Sequence, residues 1–178
     1  MKDDIKEIIF TEEVIRSKVK EMGASITSDY QGSSPLLIGV LKGSFMFLAD
    51  LARCIDLSCE IRFVSASSYG FAAVSSGSVK IGKDIDFEMS GKDIILIEDI
   101  LDTGVTLAAL REFVAGFGPS SLKICALLDK PSHRKADINA DYVGFACPDD
   151  FIVGYGLDFA EHYRNLPYIA SLKPELYS

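Results

Sequence analysis

The chain has 178 residues, 48% of them hydrophobic and 25% charged, and its 18 basic residues against 26 acidic ones leave a formal net charge of −8. That length suits one domain with a core of its own, residues 1–178, and no apolar run approaches the roughly 20 residues that a membrane-spanning helix requires. The acidic balance opposes nonspecific attraction to nucleic acid or anionic lipid, but backbone amides and metal ions can still hold a phosphorylated ligand on an acidic protein.

In chain order, the opening MKDDIKEIIF lacks the basic-then-apolar pattern of a secretory signal. Residues 11–29 have helical spacing, with Thr11 as cap, Glu12 and Glu13 in the first turn, and Ile15, Val19, Met22 and Ile26 on one face. PLLIGVL then reads as a fully apolar strand, SFMFLADLARCI as a helix carrying Phe47, Leu48, Leu51 and Ile55, and CEIRFVSA as a strand. The Ser-, Gly- and Ala-rich stretch SSYGFAAVSSGSV is too long for a minimal hairpin turn and is expected to form a mobile lid or a disordered tip. VKIGKDIDFEMSGKD supplies a short strand and turns, IILIEDI a strand, and TLAALREFVAGFG a helix ended by Gly118-Pro119. SLKICALL, YVGFA and FIVGY supply further strands. Cys54, Cys59, Cys125 and Cys147 lie mostly in apolar runs without C-x-x-C spacing, so buried free thiols in a reducing cytoplasm are expected.

Strands without alternation, separated by helical patterns, argue for an α/β fold: a mainly parallel, doubly wound sheet with helices on both faces. Ligands of such sheets sit beyond the carboxyl ends of the strands, near a topological switch, so every loop after a strand is a chemical candidate. The densest is DIILIEDILDTGVTL, in which an apolar strand ends in Glu98, Asp99 and Asp102. Alternation predicts that Glu98 and Asp99 point in opposite directions at the carboxyl end. Asp102 opens a turn, and Thr103, Gly104, Val105 and Thr106 lead into a helix whose first amides lack internal partners, an anion site with two hydroxyls to help. Carboxylates beside a phosphate cradle would repel the ligand unless they handle a magnesium ion, sugar hydroxyls or a proton, and a phosphorylated sugar needs all three. A plain helix cap beside solvated acids is the competing reading, and three acids beside Thr-Gly-x-Thr weigh against it.

IILIEDILDTGVTL closely resembles the phosphoribosyl diphosphate signature of the type I phosphoribosyltransferases, in the branch acting on hypoxanthine and guanine. The resemblance continues through VLKGSFMF, SSYG, ALLDKPSHR and DFIVGYGLDFAEHYRNLPYI and covers residues 36–169. It implies that family's fold, with a small hood and a flexible lid loop, and a magnesium-dependent transfer of 5-phosphoribosyl from phosphoribosyl diphosphate to a 6-oxopurine. The products would be IMP or GMP and diphosphate, as in purine salvage. Val105 stands where some members carry lysine, and Ser44 where some carry a second glycine. Because the 5'-phosphate is held mostly by backbone and hydroxyl donors, Val105 is expected to change affinity rather than reaction.

Lys42, Gly43 and Ser44 follow a strand and open a helix, so their amides are placed for diphosphate. The family can carry a cis peptide before this lysine. By resemblance Asp102 is the base at N7 of the purine, Glu98 and Asp99 hold the ribose hydroxyls near magnesium, and Asp158 reaches a second magnesium. Lys130, after another apolar strand, is implied to donate to the purine 6-oxo group, which would select against adenine. Phe151 is implied to stack on the purine, Ile152 to pair with the base edge through its backbone, and Arg164 to approach the diphosphate. Ser68 and Tyr69 resemble the family's lid, which closes to exclude water. Arg134 is a weaker carry-over, and His133 and His162, without metal spacing to the cysteines, read as structural. The resemblance implies a homodimer or homotetramer, with the apolar FMFLADL helix a candidate contact.

Two other classes share the acidic loop: a regulator on the same fold that senses phosphoribosyl diphosphate and binds RNA or DNA, and a phosphoribosyltransferase for another base such as xanthine or adenine. The base-side set of Lys130, Phe151 and Asp158 and the lack of positive charge weigh against the regulator. A substrate panel separates the bases.

Overall fold

Thr11 has extended backbone and its hydroxyl accepts the Val14 amide at 3.4 Å, so the first helix, α1, begins where the sequence places its cap and runs Glu12–Asp29. Its buried stripe of Ile15, Val19, Met22 and Ile26 faces the sheet. A computed structural model describes residues 2–67, 80–81 and 87–177. The predicted lid, with Ser68 and Tyr69, lies outside the described residues.

The remaining elements are β1 (Ile5–Phe10), β2 (Leu36–Leu41), α2 (Phe45–Cys54), β3 (Glu60–Ser67), β4 (Lys80–Ile81), β5 (Asp93–Leu101), α3 (Val105–Ala115), β6 (Ser121–Asp129), β7 (Tyr142–Ala146), β8 (Ile152–Val153) and β9 (Ile169–Leu172). The main sheet has the order β4-β3-β2-β5-β6-β7. Its five strands β3, β2, β5, β6 and β7 are parallel, and the short β4 pairs antiparallel at one edge.

The unbroken apolar run of β5 is explained by burial on both faces. Ile95 and Ile97 pack with α1 and α2, while Ile94 and Leu96 pack with Leu107, Leu110 and Val114 of α3. All four isoleucine and leucine side chains are fully buried, each worth about 1.5–3 kcal/mol relative to exposure. The doubly wound, helix-covered sheet is therefore what the strand pattern predicts.

A second, three-stranded antiparallel sheet has the order β1-β9-β8 and forms the hood. Three details differ from expectation. FIVGY was expected as one strand, yet β8 covers only Ile152–Val153, because Tyr155 at φ 51° turns the chain back. β1 and β9 carry too little pattern for sequence reading to find them. The cysteines are all free, but only Cys125 is fully buried. Among the described residues no helix is long and apolar enough to cross a membrane.

Candidate active site

From β2 the chain adds β3 on one side and later returns on the other side as β5, so the sheet reverses direction of growth between β2 and β5. Their pairing runs from Leu36↔Ile94 to Gly39↔Ile97 and stops there. Between the freed carboxyl ends lies a cleft of about 540 Å3, at the switch point where ligands of open α/β sheets bind. Lys42 and Gly43 line it from β2, Glu98 and Asp99 from β5, Asp102, Thr103, Gly104 and Thr106 from the loop into α3, and Asp158 and Arg164 from the hood side. A groove of about 550 Å3 between α1 and α2, lined by Phe45 and Met46 among others, contains none of the predicted site residues.

Alternation predicts opposite directions for Glu98 and Asp99, and here the structure corrects the sequence: both line the same cleft. The β2–β5 pairing ends at Ile97, the residue before the acids, so β5 is free of β2 where they stand. Asp99 is buried and accepts the Ile100 amide at 2.8 Å. Burial first, then the charge of Asp99, holds the Glu98 carboxyl well above the usual carboxylate range. Burial also raises Asp99, against the pull of backbone amides and Arg164.

Such a pair fits a cation or the hydroxyl donors of a sugar. Among the described residues no three His, Cys, Asp or Glu side chains form a group able to hold a metal. Glu98, Asp99 and Asp158 thus make no closed cage, and a magnesium ion here would draw its remaining ligands from substrate oxygens and water, as that ion commonly does.

The loop into α3 turns at Gly104, whose φ of 76° is the left-handed conformation that glycine adopts without a Cβ penalty. No side chain caps α3, so its first amides face the cleft free. Thr103 and Thr106 line the cleft, whereas the Val105 side chain, 42% exposed, does not. Any role of Val105 is thereby confined to its backbone. Arg134 donates from Nε to the Asp102 carbonyl at 2.9 Å and from a terminal nitrogen to the Leu101 carbonyl at 3.2 Å. Its other partners are the Ile138 carbonyl and the Asp129 carboxylate. It braces the loop from behind.

On the β2 side the Leu41-Lys42 peptide is cis. The buried Ser44 hydroxyl donates to the Val40 carbonyl at 2.7 Å and fixes the turn into α2. The Lys42 ammonium reaches outward to Glu161 at 3.0 Å, leaving its backbone at the cleft. Arg164 donates to the Gly156 carbonyl at 2.8 Å and pairs with Asp158 at 3.0 Å, while its Nε is buried without an acceptor among the described residues. An orphaned donor at a cleft wall suits an anionic ligand.

Lys130, Phe151 and Ile152 are absent from the walls of this cleft and sit beside it. Lys130 is buried, donates to the Asp150 carbonyl at 3.1 Å and stands 3.5 Å from Asp149, which leaves one of its three donors for a ligand. Phe151 is stacked against Tyr177, with ring centroids 4.9 Å apart, so one face of the ring is already covered. The Leu172 amide donates to the Phe151 carbonyl at 2.9 Å. In an antiparallel pair this turns the N–H and C=O of Ile152 away from β9, toward the open edge of the hood.

The sequence reads His133 as structural, and the fold places it beside Asp102. The turn Pro131–His133 is 3-10, and such a turn brings residues three apart onto one face. The imidazole lies between Asp102 and Asp149, with Nδ1 3.0 Å from one carboxylate and Nε2 2.8 Å from the other. The i, i+3 spacing from Lys130 was the available signal, and a search for metal spacing does not register it.

A model of the phosphoribosyl transferase domain matches residues 7–160 of the chain. The hypoxanthine-guanine phosphoribosyltransferase of Bacillus subtilis strain 168 is 57% identical over 177 residues, covering 99% of this chain and 98% of the relative. A crystal structure of a hypoxanthine phosphoribosyltransferase from Staphylococcus aureus superposes with a TM-score of 0.94 at 51% identity, over 100% of this chain and 97% of that one. A hypoxanthine-guanine phosphoribosyltransferase from Bacillus anthracis gives 0.89 at 49% identity, over 96% and 98% of the two chains.

Proposed function

The chain belongs to the phosphoribosyltransferase family, and from that premise we propose that it transfers the 5-phosphoribosyl group of phosphoribosyl diphosphate to hypoxanthine or guanine, giving IMP or GMP and diphosphate in purine salvage. The observation that carries this reading is the placement of an acid pair, a free helix N-terminus and a further carboxylate around one cleft at the sheet's switch point.

The 5'-phosphate rests on the amides and hydroxyls of Thr103, Gly104, Val105 and Thr106. The diphosphate meets the amides of Lys42 and Gly43 and the guanidinium of Arg164. Glu98 and Asp99 accept from the ribose hydroxyls. Lys130 donates to the 6-oxo group, Phe151 stacks on the purine with the face that Tyr177 leaves open, and the outward backbone of Ile152 pairs with the base edge. Ser68 and Tyr69 belong to the lid that excludes water.

As the bond from ribose to diphosphate breaks, the ring gains oxocarbenium character and purine N9 attacks the same carbon. Asp102 accepts the N7 proton, which keeps the attacking nitrogen electron-rich. Glu98, Asp99 and Asp158 would hold magnesium, which would supply neutralisation of the departing charge. No group on the protein becomes covalently attached.

The pairing of the first strand with the last supports one phosphoribosyltransferase domain over residues 1–178. The acidic surface and free thiols fit a cytoplasmic enzyme without nucleic-acid or membrane partners, and the exposed Phe45 of α2 fits self-association as a homodimer or homotetramer. Incubation with magnesium, phosphoribosyl diphosphate and each purine in turn tests the reading: nucleotide should form with hypoxanthine and guanine. No nucleotide with any base, or nucleotide with adenine alone, would overturn it.

A further inference from the structure

Asp102 presents its two carboxylate oxygens to different surroundings. The side chain is 43% exposed, yet Oδ1 is fully buried, so the exposure belongs to the rest of the side chain. The group nearest to Oδ1 in the polar network is His133 Nδ1, at 3.0 Å. The approach is off the line of a directed hydrogen bond, and Oδ1 has no aligned donor. His133 Nε2 stands 2.8 Å from Asp149 Oδ1. Ser132 donates to that same oxygen at 3.4 Å and Lys130 lies 3.5 Å from it. Asp102, His133, Asp149 and Lys130 thus form one continuous chain of polar contacts.

The two ends of this chain carry the two purine-facing roles assigned above, and the 6-oxo group and N7 are neighbours on one edge of the purine. A link between Asp102 and Lys130 therefore fixes the spacing of the groups that meet that edge. The geometry points to His133 as a positioning residue: tethered by Asp149, it holds Asp102 with one oxygen against the imidazole and the other toward the cleft. A small rotation of the ring brings Nδ1–H into line with Asp102 Oδ1, and catalytic hydrogen bonds that are loosely aligned without ligand commonly tighten in the complex. This inference rests on the reaction proposed above, with Asp102 as its base.

The test is a set of steady-state measurements on the full-length chain with hypoxanthine, magnesium and phosphoribosyl diphosphate. His133→Ala should lower kcat about tenfold, a smaller loss than the 10²-fold or more expected from removing the base itself. KM for phosphoribosyl diphosphate should not change, because none of its contacts involves His133. His133→Asn, which sets an amide nitrogen where Nδ1 stands, should recover most of kcat. On an Asp102→Asn background His133→Ala should cost nothing further, since residues that act through one another are not additive. Wild-type kcat in His133→Ala, failure of the Asn variant to recover activity, or an equal loss with and without the Asp102 carboxylate would each overturn the role of His133 while leaving the reaction in place. A wild-type protein that forms no nucleotide would instead overturn the proposed function, and the role of His133 with it.

Discussion

Gly43 and Asp99 compete for one space: a Cβ on Gly43 would fall 1.6 Å from Asp99 Oδ2 and 2.5 Å from its Cγ. The carboxylate of the β5 acid therefore packs directly onto the backbone that opens α2. On the other side of the loop, the Gly43 carbonyl lies 2.0 Å from where a Cβ of Gly156 would be. The loop is held between two elements, with room for a hydrogen and nothing more. Gly43→Ala must displace Asp99 or the loop, at an overpacking cost of about 1–3 kcal/mol. Titration calorimetry should show loss of phosphoribosyl diphosphate binding together with a lowered thermal midpoint. Wild-type affinity in this variant would mean that the amides and the acid do not share the ligand.

Asp102 lines the cleft but takes no part in the Glu98 and Asp99 pair. Asp102→Asn should cut kcat by about 10²-fold or more, the scale of a positioned base, with phosphoribosyl diphosphate binding retained. Pre-steady-state turnover and ligand titration on one preparation check both halves. Unchanged turnover would remove Asp102 from the chemistry.

Lys130 keeps its ammonium within a buried pocket of carbonyl and carboxylate oxygens, so truncation costs the purine a charged donor. A hydrogen bond of that type contributes about 1.5–3 kcal/mol, or roughly a 10- to 150-fold change. Lys130→Ala should lower kcat/KM for hypoxanthine by that factor and leave the far smaller value for adenine little changed. Competition between the two bases measures the ratio, and an unaltered ratio would move 6-oxo recognition to another residue.

The parallel sheet was legible because β2, β5 and β6 are apolar on both faces, a pattern that only two layers of helix can cover. The acidic loop was legible because charge at the end of such a strand has no packing explanation. The hood was not. β1 exposes three of its six residues, β8 has two residues, and their pairing through β9 joins segments far apart in sequence. The convergence of Glu98 and Asp99 also lay beyond the sequence, since it depends on where the pairing with β2 stops. His133 and Asp149 come from different loops, and their meeting at Asp102 is a product of the fold alone.

Glu98→Gln keeps the shape of the acid pair and removes its repulsion. Burial and the Asp99 charge raise the pKa of Glu98 in the folded chain, and the sign of the effect on stability follows from that direction. At a pH below the ordinary carboxylate range, Glu98 is protonated in both folded and unfolded chains, and wild type and variant differ little. As pH rises, the unfolded chain releases its proton first while the folded chain retains it, so the wild type loses stability until its own raised pKa is passed. The glutamine has no proton to release. Its advantage should therefore widen as pH rises through the ordinary carboxylate range and beyond it. Thermal unfolding without ligand reads this margin, at about 2–4 °C for each kcal/mol in a chain of this length. Saturating magnesium and phosphoribosyl diphosphate should raise the wild-type midpoint and barely move that of the variant, because the acid that destabilises the free protein is the one that receives the ribose. A margin that stays constant with pH would show that Glu98 is not held protonated in the free protein.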